Sequence, residues 1–257
     1  MPRILADTVW PAVPTGALVL VPVGSTEQHG PHLPLDTDTV VARAVARRVA
    51  AALATDPDGG PPLVAPPVAY GASGEHADFP GTVSIGHEAL RAVLVELTRS
   101  LSLWAGRVVF VNGHGGNAAT LDTALVLLRA EGHDAVWTGC DLPGGDAHAG
   151  RAETSVLLHL EPERVRLDAA VAGDTRPLPV LLPELTARGV RAVSPSGVLG
   201  DPTGASAEEG RRALDATVAA AVRRITAWTT DPRGRLTDPA GIGLPTATPH
   251  GQKEVRR

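Results

Sequence analysis

The chain has 257 residues, a formal net charge of −5 at pH 7 and a single cysteine. Acidic and basic residues are interspersed, so the sequence offers no concentrated basic surface for nucleic acid. One cysteine excludes an internal disulfide and any cysteine-cluster metal site, which leaves histidine and carboxylate side chains as the possible metal ligands. The only lysine is Lys253, which excludes a P-loop lysine or a Schiff-base lysine in the body of the chain.

Apolar runs rich in β-branched residues predict strands, and apolar residues at helical spacing between them predict helices. In chain order we predict a strand at 17–23, a helix at 39–54, a strand-like stretch at 63–70, a helix at 87–104, a strand at 107–111, a helix at 118–131, a strand at 135–138, and helices at 153–160 and 207–228. Strands that alternate with helices in this way indicate βαβ units and a parallel sheet.

The length suits one large α/β domain, and no change of composition argues for two. We predict a single domain over 1–230. Residues 231–257 contain several glycines and prolines and end in charges without periodicity, which predicts a mobile tail or a strap over a neighbour. No apolar stretch reaches the ~18–20 residues that cross a bilayer, and the first residues lack the apolar core of a signal peptide. We therefore expect a soluble, cytoplasmic protein.

Side chains of the kinds that bind metals cluster in four loops at the ends of predicted elements. The first loop, 24–38, holds three carboxylates and two imidazoles directly after an apolar strand. The other three loops are 71–76, 112–117 and 148–155. Because ligand sites in open α/β sheets form outside the carboxyl ends of the strands, we expect these loops to share one cleft.

Individual residues of these loops have the positions that metal ligation needs. Glu27 and His29 point to the same side of an extended segment, since side chains alternate in direction, so both can reach one metal centre. Asp38 begins a helix, where a carboxylate is stabilised by the helix N-terminus. Helix capping is an equally good interpretation of Asp38, and Asp36 suits that role comparably well. His114 lies between glycines, which let a ligand approach its ring.

Other chemistries fit parts of the sequence. Gly113, Gly115 and Ala118 match the G-x-G-x-x-A variant of the dinucleotide fingerprint, so an NAD-binding oxidoreductase is an alternative, although it leaves the ligand-rich first loop unexplained. A metal-stabilised scaffold that presents a peptide without cleaving it is a further alternative. Serine or cysteine nucleophiles are disfavoured, because no G-x-S-x-G elbow exists and the lone Cys140 is typical of an apolar filler.

In blocks 24–38, 71–82, 112–117 and 148–155, the sequence resembles the creatininase (creatinine amidohydrolase) family over roughly residues 14–210. The resemblance implies a three-layer α/β/α sandwich, hydrolysis of a C–N amide bond at a two-metal centre, and a homo-oligomer. It assigns to His148 the transfer of the substrate's proton. It also assigns as metal ligands Glu27, His29, Asp38, His114 and Glu153, with Asp38 bridging the two ions.

The chain departs from the creatinine-hydrolysing members beside the loop histidine. An aromatic residue and a glutamate follow that histidine there, whereas Gly115 and Gly116 stand here. The change removes a wall that would pack on a small planar ring and leaves metal ligation to Glu153, so creatinine is a poor candidate substrate. A small-molecule cyclic-amide hydrolase of the creatininase type remains an alternative.

A finer match, in 21–38, 70–75, 144–150 and 192–202, is to a peptidase branch of the family. That resemblance implies release of a modified C-terminal Val-Tyr dipeptide from a ribosomally made precursor peptide. The loop widened by Gly115 and Gly116 is compatible with a peptide substrate. Ser73, Glu75 and His76 are further candidate substrate-binding residues, with a structural role in a turn as the alternative.

The resemblance leads to a mechanistic hypothesis. Two divalent ions share Asp38 and lower the pKa of a water molecule, so that hydroxide attacks the amide carbonyl. His148, with an ordinary pKa near ~6.5, then protonates the leaving amine. Ligation by histidine and carboxylate is compatible with Zn, Fe(II) or Mn, and leaves the identity of the metal open.

Overall fold

A computed structural model of the protein describes residues 3–54 and 60–239. Its central sheet contains five strands within these ranges, all parallel, in the order β1-β3-β2-β4-β5. The strands are β1 (Arg3–Ile4), β2 (Leu18–Val23), β3 (Leu63–Val64), β4 (Arg107–Asn112) and β5 (Ala135–Gly139). The predicted strand at 63–70 is shorter than expected, because Pro66 and Pro67 cannot donate hydrogen bonds to a ladder.

The described residues form seven α-helices: α1 (Thr37–Leu53), α2 (Gly86–Leu101), α3 (Ala118–Ala130), α4 (Arg151–Leu160), α5 (Leu178–Arg188), α6 (Val190–Val193) and α7 (Ala207–Ala227). All five predicted helices are present, with ends shifted by a few residues. Helices α5 and α6 have no counterpart in the sequence prediction. Pro183 lies inside α5 and breaks the pattern by which a helix is recognised.

Helices cover both faces of the sheet. Leu20 and Val109 belong to one core cluster with α1, α4 and α7, whereas Val19, Val21 and Phe110 belong to another with α2 and α3. Neighbouring residues of one strand thus face opposite layers, as the period of two requires. The three-layer α/β/α fold is confirmed. None of the helices in the described ranges is both long and apolar enough to span a membrane.

The strand order places a crevice at the carboxyl ends of β2 and β4. Strand β2 continues into α1 on one face of the sheet and leads to β3, while β4 continues into α3 on the other face and leads to β5. The loops after these neighbouring strands therefore diverge, which is the topological switch point where open α/β sheets bind ligands.

Residues 231–239 run back to the sheet. The Trp137 amide donates to the Gly234 carbonyl at 3.0 Å, and the Leu236 amide donates to the Trp137 carbonyl at 2.8 Å. Leu236 is buried in the core. The remainder of the predicted tail, 240–257, lies outside the described residues.

Candidate metal centre

The loop after β2 buries Glu27 and His29, and both side chains are fully buried. The His29 Nδ1 donates to the Glu27 carbonyl at 3.1 Å, since a carbonyl can only accept. That bond leaves Nε2 facing Asp38 Oδ1 at 3.1 Å. A ring lone pair and a carboxylate repel each other unless a proton or a metal ion lies between them. Burial opposes a charged ring, yet the Asp38 carboxylate raises the pKa of His29 to about 10.

His114, which follows β4, has the same arrangement on the other side of Asp38. Its Nε2 donates to the Ala72 carbonyl at 3.2 Å, so Nδ1 faces Glu27 Oε1 at 3.2 Å and Asp38 Oδ2 at 3.4 Å. Although burial opposes it, the Glu27 carboxylate raises the pKa of His114 well above its ordinary value. The two oxygens of Asp38 therefore face two different histidines.

Three buried carboxylate oxygens at this place have no hydrogen-bond partner among the described residues: both oxygens of Glu27, and Oδ2 of Asp38. An ion buried without compensation costs several kcal/mol, so such oxygens require positive charge nearby. The donor atoms of Glu27, His29 and Asp38 all lie within 4.8 Å of one another. Carboxylate and imidazole donors are the ligands of Zn, Mn and Fe(II). The residues present therefore fit a metal centre.

Glu153 joins the group from the first turn of α4. Its Oε2 accepts the Ala149 amide at 2.6 Å, and its carboxylate lies within 4.8 Å of donor atoms of His29 and His148. Ala149 has a φ of 53°, an uncommon left-handed conformation for a residue other than glycine. Burial raises the pKa of Glu153. A cation beside it would offset that burial and favour the charged carboxylate.

Gln28, which the sequence analysis did not single out, fixes the protonation of two neighbouring histidines. Its Oε1 accepts the Gly30 amide at 2.8 Å, and its Nε2 donates to the Gly197 carbonyl at 3.1 Å and to His76 Nδ1 at 2.8 Å. Because His76 accepts at Nδ1, a neutral His76 carries its proton on Nε2, which lies 3.3 Å from Glu27 Oε1.

Neutral His148 also carries its proton on Nε2, but it presents its other ring nitrogen to the carboxylates. Its Nε2 donates to the Gln28 carbonyl at 2.8 Å, so the Nδ1 lone pair of the neutral ring faces the carboxylates, 3.8 Å from Glu27 Oε1. Burial, together with repulsion from His29 and His76, lowers the pKa of His148 well below its ordinary value. A neutral imidazole with a lone pair directed into the site can accept a proton.

Asn117 ties three of the four loops together. Its Nδ2 donates to the Gly24 carbonyl at 2.9 Å and to Asn112 Oδ1 at 3.2 Å, and its Oδ1 accepts the Ala72 amide at 2.9 Å. The side chain is fully buried. The fourth loop joins them through Glu153 and His148, so all four predicted loops meet. The site opens into a cavity of about 610 Å³.

The two loop glycines differ in their surroundings. A methyl group at Gly115 would meet nothing within 4 Å, whereas one at Gly116 would lie 2.6 Å from both the Ala72 carbonyl and Glu75 Oε1. Glu75 Oε1 is also 3.4 Å from His114 Nε2. Space beside Gly116 is thus filled by Glu75, by the Ala72 carbonyl and by His114, whose Nε2 would lie nearest to the added methyl group, whereas the space beside Gly115 is open.

The structure does not support the chemical roles of the weaker candidates. Ser73 is fully buried, shares a hydrogen bond with Ser25, and is not part of the cavity surface on which it was predicted. Burial raises the pKa of the Cys140 thiol, which disfavours a nucleophilic thiolate. Gly113, part of the dinucleotide-fingerprint alternative, packs against the Asp38 carbonyl. That glycine allows two segments of the protein itself to approach closely.

The chain belongs to the creatininase family, because a family model described as creatinine amidohydrolase matches residues 6–225. The mycofactocin precursor peptide peptidase of Mycobacterium tuberculosis is 58% identical over 87% of this chain and 90% of its own length. Two solved creatininase structures, one named "Creatininase Mn" and one a mutant of "Zn-Zn type", each have a TM-score of 0.72 and 27% identity. Each alignment covers 89% of this chain. It covers 99% of the manganese structure's chain and 98% of the zinc structure's chain. The predicted family is confirmed.

The contrast between the loop glycines gives a matched test. Gly116→Ala should push Glu75 or His114 from its place and weaken metal binding by about 10-fold to 100-fold, as expected when groups that orient a ligand are disturbed. Gly115→Ala, in the same loop, should leave the affinity unchanged. Competition with a chromophoric chelator for Zn²⁺ or Mn²⁺ measures both. Equal affinities of the two variants would contradict the close packing of Gly116 against His114 and Glu75.

Proposed function

We propose that this protein is a metal-dependent peptidase that releases the modified C-terminal Val-Tyr dipeptide from the mycofactocin precursor peptide. The observation that carries the proposal is the buried group of unpartnered Glu27 and Asp38 oxygens beside histidine nitrogens, open to a cavity large enough for a peptide end. The 58% identity to a mycofactocin precursor peptide peptidase supports this substrate. We also retain the prediction of a cytoplasmic homo-oligomer.

The proposed ligands of two divalent ions are Glu27, His29, Asp38, His114 and Glu153. Asp38 suits the bridging position, because its Oδ1 faces His29 and its Oδ2 faces His114. The creatininase structures named for manganese and zinc support these two metals as candidates beside Fe(II). When bound, the ions would supply Lewis-acid activation of water and of the amide carbonyl.

His148 is the proposed proton carrier. The Gln28 carbonyl holds its Nε2–H, so the proton from the attacking water arrives at Nδ1. The resulting imidazolium lies 3.8 Å from Glu27 Oε1, which attracts it. Because burial and the neighbouring histidines lower the pKa of His148, this imidazolium gives its proton to the leaving amine more readily than an ordinary imidazolium would.

Mass spectrometry of the modified precursor, incubated with the full chain and Zn²⁺ or Mn²⁺, tests the function. We expect the released dipeptide and a precursor shortened by its mass. Removal of metal with a chelator should abolish cleavage, and added metal should restore it. Full cleavage after verified metal removal would contradict metal dependence. Precursor binding without cleavage by the metal-loaded protein would instead support the scaffold alternative.

The role of His148 has its own test. His148→Ala should lower kcat by about 10²-fold to 10⁴-fold, since the leaving amine loses its proton donor. Metal content, measured by inductively coupled plasma mass spectrometry, should not change. His133→Ala is the control for both measurements. Among the described residues, the ionisable partner of the partly exposed His133 is Glu131. Loss of a bound ion in His148→Ala would instead identify His148 as a metal ligand.

A further inference from the structure

The cavity beside the candidate metal centre has an apolar part built by α5. Leu178, Leu182 and Leu185 all line it. Their spacing of four and three residues places them on one face of the helix. Leu185 is itself buried, and Leu181, in the next row, is fully buried in a small cluster with Val190. The helix is therefore anchored to the body of the protein while one face remains turned to the cavity.

Two of these leucines present substantial apolar surface inside the cavity. Leu178 is 41% exposed and Leu182 is 48% exposed. Apolar surface in a concave site that also holds convergent polar groups is typical of a ligand-binding wall. Val180, on the same helix and 58% exposed, does not line the cavity. Exposure alone therefore does not distinguish Leu178 and Leu182 from Val180, but their position in the cavity does.

The charges of the cavity point to the same kind of occupant. No arginine or lysine lies among the cavity-lining residues that the structure describes, whereas Glu75 adds a carboxylate beyond the proposed metal ligands. An acidic side chain of a substrate would find no arginine or lysine there and would be repelled by Glu75. An uncharged apolar side chain would lose no hydrogen bonds and would cover the leucines.

We propose that Leu178 and Leu182 form a specificity wall that receives an aliphatic or aromatic side chain of the substrate, next to the amide bond to be cut. This inference rests on the proposed peptidase function and adds the determinant of substrate choice. The wall acts through binding of the substrate and leaves the metal centre untouched, since neither leucine contributes a ligand atom.

Kinetics on the modified precursor test the wall with variants of one helix. Leu182→Asp should lower kcat/KM by about 10-fold to 100-fold, because burial of a leucine against a substrate side chain is replaced by a charge. Leu182→Met, which conserves apolar volume, should retain activity within about threefold. Val180→Asp places the same charge on α5 outside the cavity and should behave as the unsubstituted protein. Metal content and circular dichroism should be the same in all four proteins.

The outcomes separate this inference from the proposed function. If the unsubstituted protein cleaves the precursor and Leu182→Asp matches Val180→Asp in kcat/KM, the specificity wall is wrong while the peptidase function stands. If the metal-loaded unsubstituted protein cleaves no precursor at all, the proposed function is wrong and the wall has no such substrate to select.

Discussion

The site depends on one constraint. Two carboxylates, Glu27 and Asp38, are buried beside histidines whose hydrogen bonds alone cannot neutralise them. Without ions, positive charge comes from protons on His29 and His114, whose pKa values are raised by these carboxylates. The same attraction, against the effect of burial, holds the pKa of Glu27 well below its ordinary value. Metal ions compete with these protons for the same histidine site, so metal binding should release protons.

The fold explains why residues far apart in sequence share this constraint. The carboxyl ends of β2 and β4 adjoin at the point where their connections diverge, so Glu27 and His114 come from neighbouring loops. Close approach of the loops needs residues without side chains. A methyl group at Gly71 would lie 2.6 Å from Asn117 Oδ1 and 2.8 Å from the Gly24 carbonyl. Gly71 therefore allows two loops of the site to pack closely against each other.

Much of the fold and of the candidate metal centre could be predicted from the sequence. Apolar β-branched runs indicated the strands, and the density of carboxylates and imidazoles after them indicated the loops that meet. Helix α5 was missed because Pro183 interrupts its pattern, and the wall formed by Leu182 was missed with it. The contacts by which Gln28 and Asn117 join different loops span 45 to 169 positions in the chain, and no local pattern reveals such contacts. Gln28 stands between two predicted ligands, which was the one available signal.

Anomalous X-ray diffraction from crystals grown with Mn²⁺ or Zn²⁺ tests the central claim most directly. A metal centre at this place predicts anomalous peaks within coordinating distance of the proposed ligands Glu27, His29, Asp38, His114 and Glu153. At saturating metal, an absence of peaks at these residues, or peaks confined to surface carboxylates elsewhere, would contradict it.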